Sequence, residues 1–144
     1  MLGRYFYFES NGSSANTINF YTEIQIVDTD GVNRASGRGL ARYSSIHPNS
    51  KDPSVVTDGD TNTNNFFANV EGRGYIVIDL GDVYDISYIK IWRYYGDGRT
   101  FKGVYIRVSI DDVNYTTVFS SDVDGTYSET SEGKQIDILN MEHD

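Results

Sequence analysis

Residues Val56 to Gly81 read VTDGDTNTNNFFANVEGRGYIVIDLG, an Asp-rich loop running into an alternating segment that closes on Asp79-Leu80-Gly81. In the second half, Ile76, Ile78 and Leu80 fall on one face of an extended chain and Tyr75, Val77 and Asp79 on the other, the period-two pattern of a half-buried strand. In the first half, Asp58, Asp60, Asn62 and Thr63 place hard oxygen donors at one- to two-residue intervals. A tight turn can aim such donors at one hard cation such as Ca²⁺. Without a metal, the same Asp side chains cap backbone N–H groups as Asx-turns, and the residues alone leave both readings open. An EF-hand is excluded, because counting from Asp58 the sixth position is Thr63 rather than Gly and the twelfth is Asn69 rather than Glu.

Outward from this stretch, strand signals recur at short intervals between turns rich in Gly, Asn, Asp and Ser, and no segment keeps a helical period. The expected class is all-β. Strands are expected at Tyr5 to Glu9, Asn19 to Val27, Gly74 to Leu80, Ile86 to Tyr94, Val104 to Ile110, Tyr115 to Phe119 and Gln135 to Leu139. Turns are expected at Gly31, Gly81, Gly96-Asp97-Gly98 and Asp124-Gly125. Ser120 to Gly133 reads as a long loop or mobile hairpin, and Met141 to Asp144 as a tail prone to fraying. The expected core is Ile76, Ile78, Leu80, Ile89, Ile91, Val104, Ile106 and Val108. With no internal repeat or linker, residues 1–144 read as one domain.

Composition narrows the function classes. Twelve Lys+Arg against 21 Asp+Glu give a net charge of −9, which on average repels phosphate backbones and anionic membranes, so no nucleic-acid partner is expected. No Cys is present, which removes disulfides, thiolate metal sites and thiol nucleophiles. No apolar stretch is long enough for membrane insertion, and no signal peptide is read at Met1-Leu2-Gly3-Arg4. Catalysis is not expected either. His47 and His143 are the only histidines, a Gly-x-Ser-x-Gly motif is absent, and Gly37-Arg38-Gly39 lacks the rest of a dinucleotide fingerprint.

The ordered motifs resemble the discoidin family, also called coagulation factor V/VIII type C domains, and the similar family 32 carbohydrate-binding modules of galactose-binding-like fold. The motifs are Asp58-Gly59-Asp60, Thr63, Phe66-Phe67 and Ile78-Asp79-Leu80-Gly81. After them come a strand with Ile89, Ile91 and Trp92, and the run Val104 to Ser109 leading to Asp111 and Tyr115. Thr22 to Asp28 is similar to the family's N-terminal strand. Asp112 and Tyr115 stand where the family usually has Gly and Trp. The resemblance implies a discoidin-like jelly-roll β-sandwich. It also implies a structural Ca²⁺ held by Glu23, Asp58, Thr63 and the carbonyls of Val55 and Asp60. Animal members usually carry a disulfide, so its absence points to a microbial or viral module.

The resemblance further implies ligand binding by loops at one end of the sandwich. The chain has 12 Tyr, 7 Phe and one Trp; exposed rings beside amides and guanidinium groups suit sugars, whose apolar faces stack while their hydroxyls hydrogen-bond. The candidates are Tyr43, His47, Asn64, Asn65, Phe66, Arg93, Tyr94, Tyr95 and Arg99, with Arg93 and Tyr95 expected to be replaceable without loss of stability. Gly98 and Asn69 or Ala68 stand where the galactose-type signature has Asn and His, so sugar identity does not carry over. The expectation is a non-catalytic recognition or attachment module, carbohydrate-binding and part of a virion or other extracellular-facing assembly such as a bacteriophage tail, baseplate or capsid decoration. Its partners would be a cell-surface glycan or other virion proteins, with homo-oligomer formation left open. The alternatives are a purely structural interaction subunit without sugar binding and, last, a small hydrolase.

Overall fold

The computed structural model describes residues 1–70 and 72–143. The strands are β1 (Leu2–Asn11), β2 (Asn19–Tyr21), β3 (Glu23–Asp28), β4 (Arg42–Tyr43), β5 (Phe67–Asn69), β6 (Arg73–Trp92), β7 (Tyr105–Ser109), β8 (Thr116–Ser120) and β9 (Lys134–Asp137). A 3₁₀ turn spans Pro53–Thr57, and a single-turn helix, α1, spans Ser121–Asp124. The strands are antiparallel: a seven-stranded sheet ordered β3-β6-β1-β7-β8, with β4 and β9 also on β6, and a β2-β5 pair.

β6 belongs to both layers of the sandwich. Its first half pairs with β1 and β4, and its second half with β3 and β9. Alternation then sends Phe6, Phe8, Ile76, Ile78, Ile106 and Val108 inward from one layer and Ile24, Ile26, Ile89, Ile91 and Ile136 from the other, into one cluster of buried residues. All eight expected core residues are buried.

The turn expected at Gly81 is absent. β6 continues through it as one 20-residue strand, with Gly81 at φ +84° and the register of β1 against β6 shifting between Gly3 and Tyr5. Glycine lets the chain bulge and bend there without leaving the sheet. The single strand expected at Asn19 to Val27 is instead two, because β2 pairs with β5 whereas β3 pairs with β6. Ser120 to Gly133 holds α1, and its Glu129 is buried. Asp112, where the family usually has Gly, has φ +62° and is the one positive-φ non-glycine among the described residues. Its left-handed backbone explains the usual Gly, and both oxygens of its carboxylate accept hydrogen bonds from Arg42, at 2.7 and 2.8 Å.

Candidate functional site

The Asp-rich loop folds as consecutive Asx-turns: Asp58 Oδ1 accepts from Asp60 N, Asp60 Oδ1 from Asn62 N, and Asn62 Oδ1 from Asn64 N, each at 2.9 Å. The second Asp58 oxygen accepts from the Asn65 side-chain amide at 3.0 Å. The bonds from backbone N–H groups are those of Asx-turns. Glu23 is different. Strand β3 carries it under this loop, 1 % exposed, where Oε2 accepts from Gly59 N at 3.0 Å and Oε1 has no partner. Burial, with Asp58 and Asp60 nearby, pushes its carboxyl up to about 8. An orphaned buried carboxylate oxygen beside two further carboxylates is a position that a divalent cation would complete.

Among the described residues no group of three or more His, Cys, Asp or Glu side chains is set to hold a metal, so a cation here would draw on main-chain carbonyls as well. The Thr63 hydroxyl oxygen already accepts from Tyr95 N at 2.9 Å and Gly96 N at 3.2 Å, which leaves only its carbonyl for any cation. Those bonds tie the 61–66 loop to the segment after β6. The Tyr95 hydroxyl reinforces the tie by donating to Thr61 O at 2.9 Å, so half-buried Tyr95 braces two loops.

Arg93 was expected at an exposed ligand end, but it is only 1 % exposed. Its guanidinium lies between the rings of Tyr21 and Phe101, 4.2 and 3.7 Å from their centroids, and donates to Phe20 O at 2.8 Å and Ser10 Oγ at 2.7 Å. Two rings and two acceptors account for the burial of this cation. Glu129, 3 % exposed, adds a carboxylate whose interaction with Arg93 opposes the effect of burial; burial prevails and pushes the carboxyl up to about 7.

What stands at the loop end is an aromatic group. Phe20 meets Phe66 edge-on at 4.8 Å and Tyr94 at 5.6 Å, and Phe66 meets Tyr94 at 6.3 Å, all three half-buried. Arg99 lies over Tyr94 at 4.4 Å and Phe20 at 5.2 Å and is clamped by both oxygens of Asp97 at 2.9 Å. Asn64 is exposed on the adjoining loop. Tyr43 packs instead on Phe67, at 5.0 Å. His47 donates its backbone N–H to Ala68 O, and its Nδ1 accepts from Asn49 N at 3.1 Å, so it pins a loop. The structure therefore gathers Phe66, Tyr94 and Arg99, uses Asn65 and Tyr95 as braces, and places Tyr43 and His47 along β5. Phe20 and Asp97 were missed. A ring in a short strand next to buried Tyr21 gives no local sign of facing a loop end.

Two clefts, of about 430 and 490 Å³, lie elsewhere: one is lined by residues from both chain ends with Asp85, the other by the β7–β8 hairpin, and both include His143. None of the expected site residues lines either. No helix among the described residues is long and apolar enough to cross a membrane. Residues 40–142 match the family model described as F5/8 type C domain. No curated protein and no solved structure was found to match the chain.

Proposed function

The chain belongs to the F5/8 type C domain family, and we propose from that premise that it is a non-catalytic attachment module which binds carbohydrate at the Phe20–Phe66–Tyr94 end. The observation that carries this reading is the half-exposed ring group with Arg99 held over it by Asp97. Rings fixed by neighbours offer a sugar a stacking surface at low entropic cost; Arg99, its side chain only 9 % exposed and held by Asp97, fixes those rings, while exposed Asn64 supplies hydrogen-bonding groups for hydroxyls.

A single small site of this kind binds weakly, with Kd on the order of a millimolar, or about −4 kcal/mol. Useful adhesion then needs several copies acting together. A multi-copy extracellular-facing particle supplies them, and a bacteriophage virion is the setting we favour because a cysteine-free module folds without an oxidising compartment. On a glycan array, wild-type protein displayed multivalently should select a small set of sugars, and Tyr94→Ala with Arg99→Ala should lose at least about 10-fold in that signal, worth about 1.4 kcal/mol. No selective binding, or full binding by the double variant, would favour a purely structural interaction subunit.

The same reading includes a structural Ca²⁺. Glu23 and Asp58 would supply carboxylates and Val55, Asp60 and Thr63 carbonyls, and the cation would neutralise the buried charge of Glu23 and pin the loop that carries Phe66. Calcium at about 100 times its Kd should raise stability by about 2.7 kcal/mol. Glu23→Gln should remove that response in a melting experiment. Identical melting of wild type in chelator and in millimolar Ca²⁺ would leave the Asx-turns as the whole account of the loop.

A further inference from the structure

The layer made of β4, the first half of β6, β1, β7 and β8 turns its aliphatic residues into the core, so the alternate residues stand on its outer face. The register places Tyr75 beside Glu9 and Glu9 beside Tyr105; in the next row Val77 lies beside Tyr7, Tyr7 beside Arg107 and Arg107 beside Thr117. Tyr7 stacks on Tyr75, with centroids 5.3 Å apart and planes at 23°, and meets Tyr115 edge-on at 6.0 Å. Tyr7, Tyr75, Tyr105 and Tyr115 are all half-buried. Three of their hydroxyls donate to carboxylates: Tyr7 to Glu9, Tyr115 to Asp112, and Tyr105 to Asp122 at 2.8 Å. Glu9 is further held by Arg73 and Asp112 by Arg42. The rings are thus anchored by their hydroxyl ends.

Arg107 stands apart from the other arginines of this face. Its guanidinium carbon lies 4.9 Å from the Tyr105 ring centroid and 5.5 Å from that of Tyr7. Among the described residues its one side-chain hydrogen bond runs from Nε to Thr117 Oγ1 at 3.3 Å, and no carboxylate pairs with it. Both terminal N–H₂ groups therefore lack partners among the described residues. Cross-strand tyrosine packing stabilises a sheet without any cation, and the half-exposed fork beside two rings is free to hold an anion. A guanidinium fork matches a carboxylate bidentately, and flanking rings match the apolar faces of pyranoses.

We propose that this outer sheet face is a second carbohydrate site, distinct from the loop end, which takes a polysaccharide strand of uronic acid units. Arg107 would hold a carboxylate while Tyr7, Tyr75 and Tyr105 stack on sugar rings. A sheet face that runs across several paired strands suits a polymer. An acidic peptide fits less well, because peptides that dock on sheets use the unpaired backbone of an edge strand, whereas β1 and β7 have strand neighbours on both sides. The net charge of −9 is no bar at contact range, since salt screens charges beyond about 8 Å at physiological ionic strength.

The test is titration calorimetry of the full chain against polygalacturonate, alginate and hyaluronan, with methyl-esterified polygalacturonate and poly-glutamate as controls. At least one uronate polymer should bind, with an affinity that falls as salt rises. Esterified polymer should bind at least 10-fold more weakly than polygalacturonate if the latter is the ligand, and poly-glutamate should not bind. Arg107→Gln should lose at least 10-fold with an unchanged melting temperature, whereas Lys90→Gln, an equal charge change on the other layer, should bind like wild type. Failure of all three uronates to bind at millimolar concentration, binding of poly-glutamate at equal strength, or full binding by Arg107→Gln would each overturn the proposal.

Discussion

Arg93→Ala should lower the unfolding free energy by about 3–5 kcal/mol, the range for removing one partner from a buried charge cluster. The side chain is 1 % exposed and fills the space between Tyr21 and Phe101. Truncation would leave a void between two rings, free the acceptors Phe20 O and Ser10 Oγ, and remove the cation that most opposes the effect of burial on Glu129. Each consequence has the same sign. Arg93→Lys should recover little, because an ammonium lacks the planar fork that stacks between rings while donating from its edge. Urea denaturation of the three proteins checks this, read as midpoints at constant slope. Adding Glu129→Gln to Arg93→Ala should restore part of the loss, since the two side chains are coupled. A wild-type midpoint for Arg93→Ala would show that the guanidinium contributes nothing net to the core.

The second large effect is on pH dependence. Burial pushes the Glu129 carboxyl from 4.5 up to about 7, with Arg93, Tyr127 and Lys134 pulling it back. The folded state therefore holds a proton that the unfolded state has lost between those two values, so stability must fall as pH rises through this window and level off above about 7. At about 1.4 kcal/mol per unit the loss is about 3 kcal/mol across the window. Carboxyls held low by hydrogen bonds or arginines, among them Asp28, Asp79 and Asp111, have the opposite sign but act in acid, below the window. Glu23, pushed up to about 8, shares the sign of Glu129, so the measurement is the difference between wild type and Glu129→Gln. Unfolding free energies taken from pH 4.5 to 8 should slope downward more steeply in wild type than in the variant by about the amount stated. Parallel curves would mean that Glu129 takes up protons alike in the folded and unfolded states.

Much of the architecture was legible along the chain. The alternation of Ile76, Ile78 and Leu80, repeated at Ile89 and Ile91 and at Val104, Ile106 and Val108, identified the core because a strand's side chains alternate whatever the strand pairs with. The Asp-Gly-Asp loop was readable as either Asx-turns or a cation site, and its bonds form the first while Glu23 keeps an oxygen free for the second. Of the nine candidate ligand residues, Phe66, Tyr94 and Arg99 come together around the Tyr94 ring.

Gly81, Arg93 and Glu129 show where local reading stopped. Asp-Leu-Gly has the composition of a turn, yet β1 and β3 hold β6 extended on either side of it and convert the glycine into a bulge. Arginine is most often a surface residue, and nothing near Arg93 in the chain announces Tyr21, Phe101 or Ser10. Glu129 sits in a polar segment whose burial depends on residues far away in sequence. Local pattern determined what depends on one strand's own geometry: the class, the strand faces and the turn chemistry of the loop. Only the tertiary structure decided which cation was enclosed and which, like Arg107, has no carboxylate partner among the described residues, because burial and pairing are properties of neighbours that the chain brings together only when both layers close.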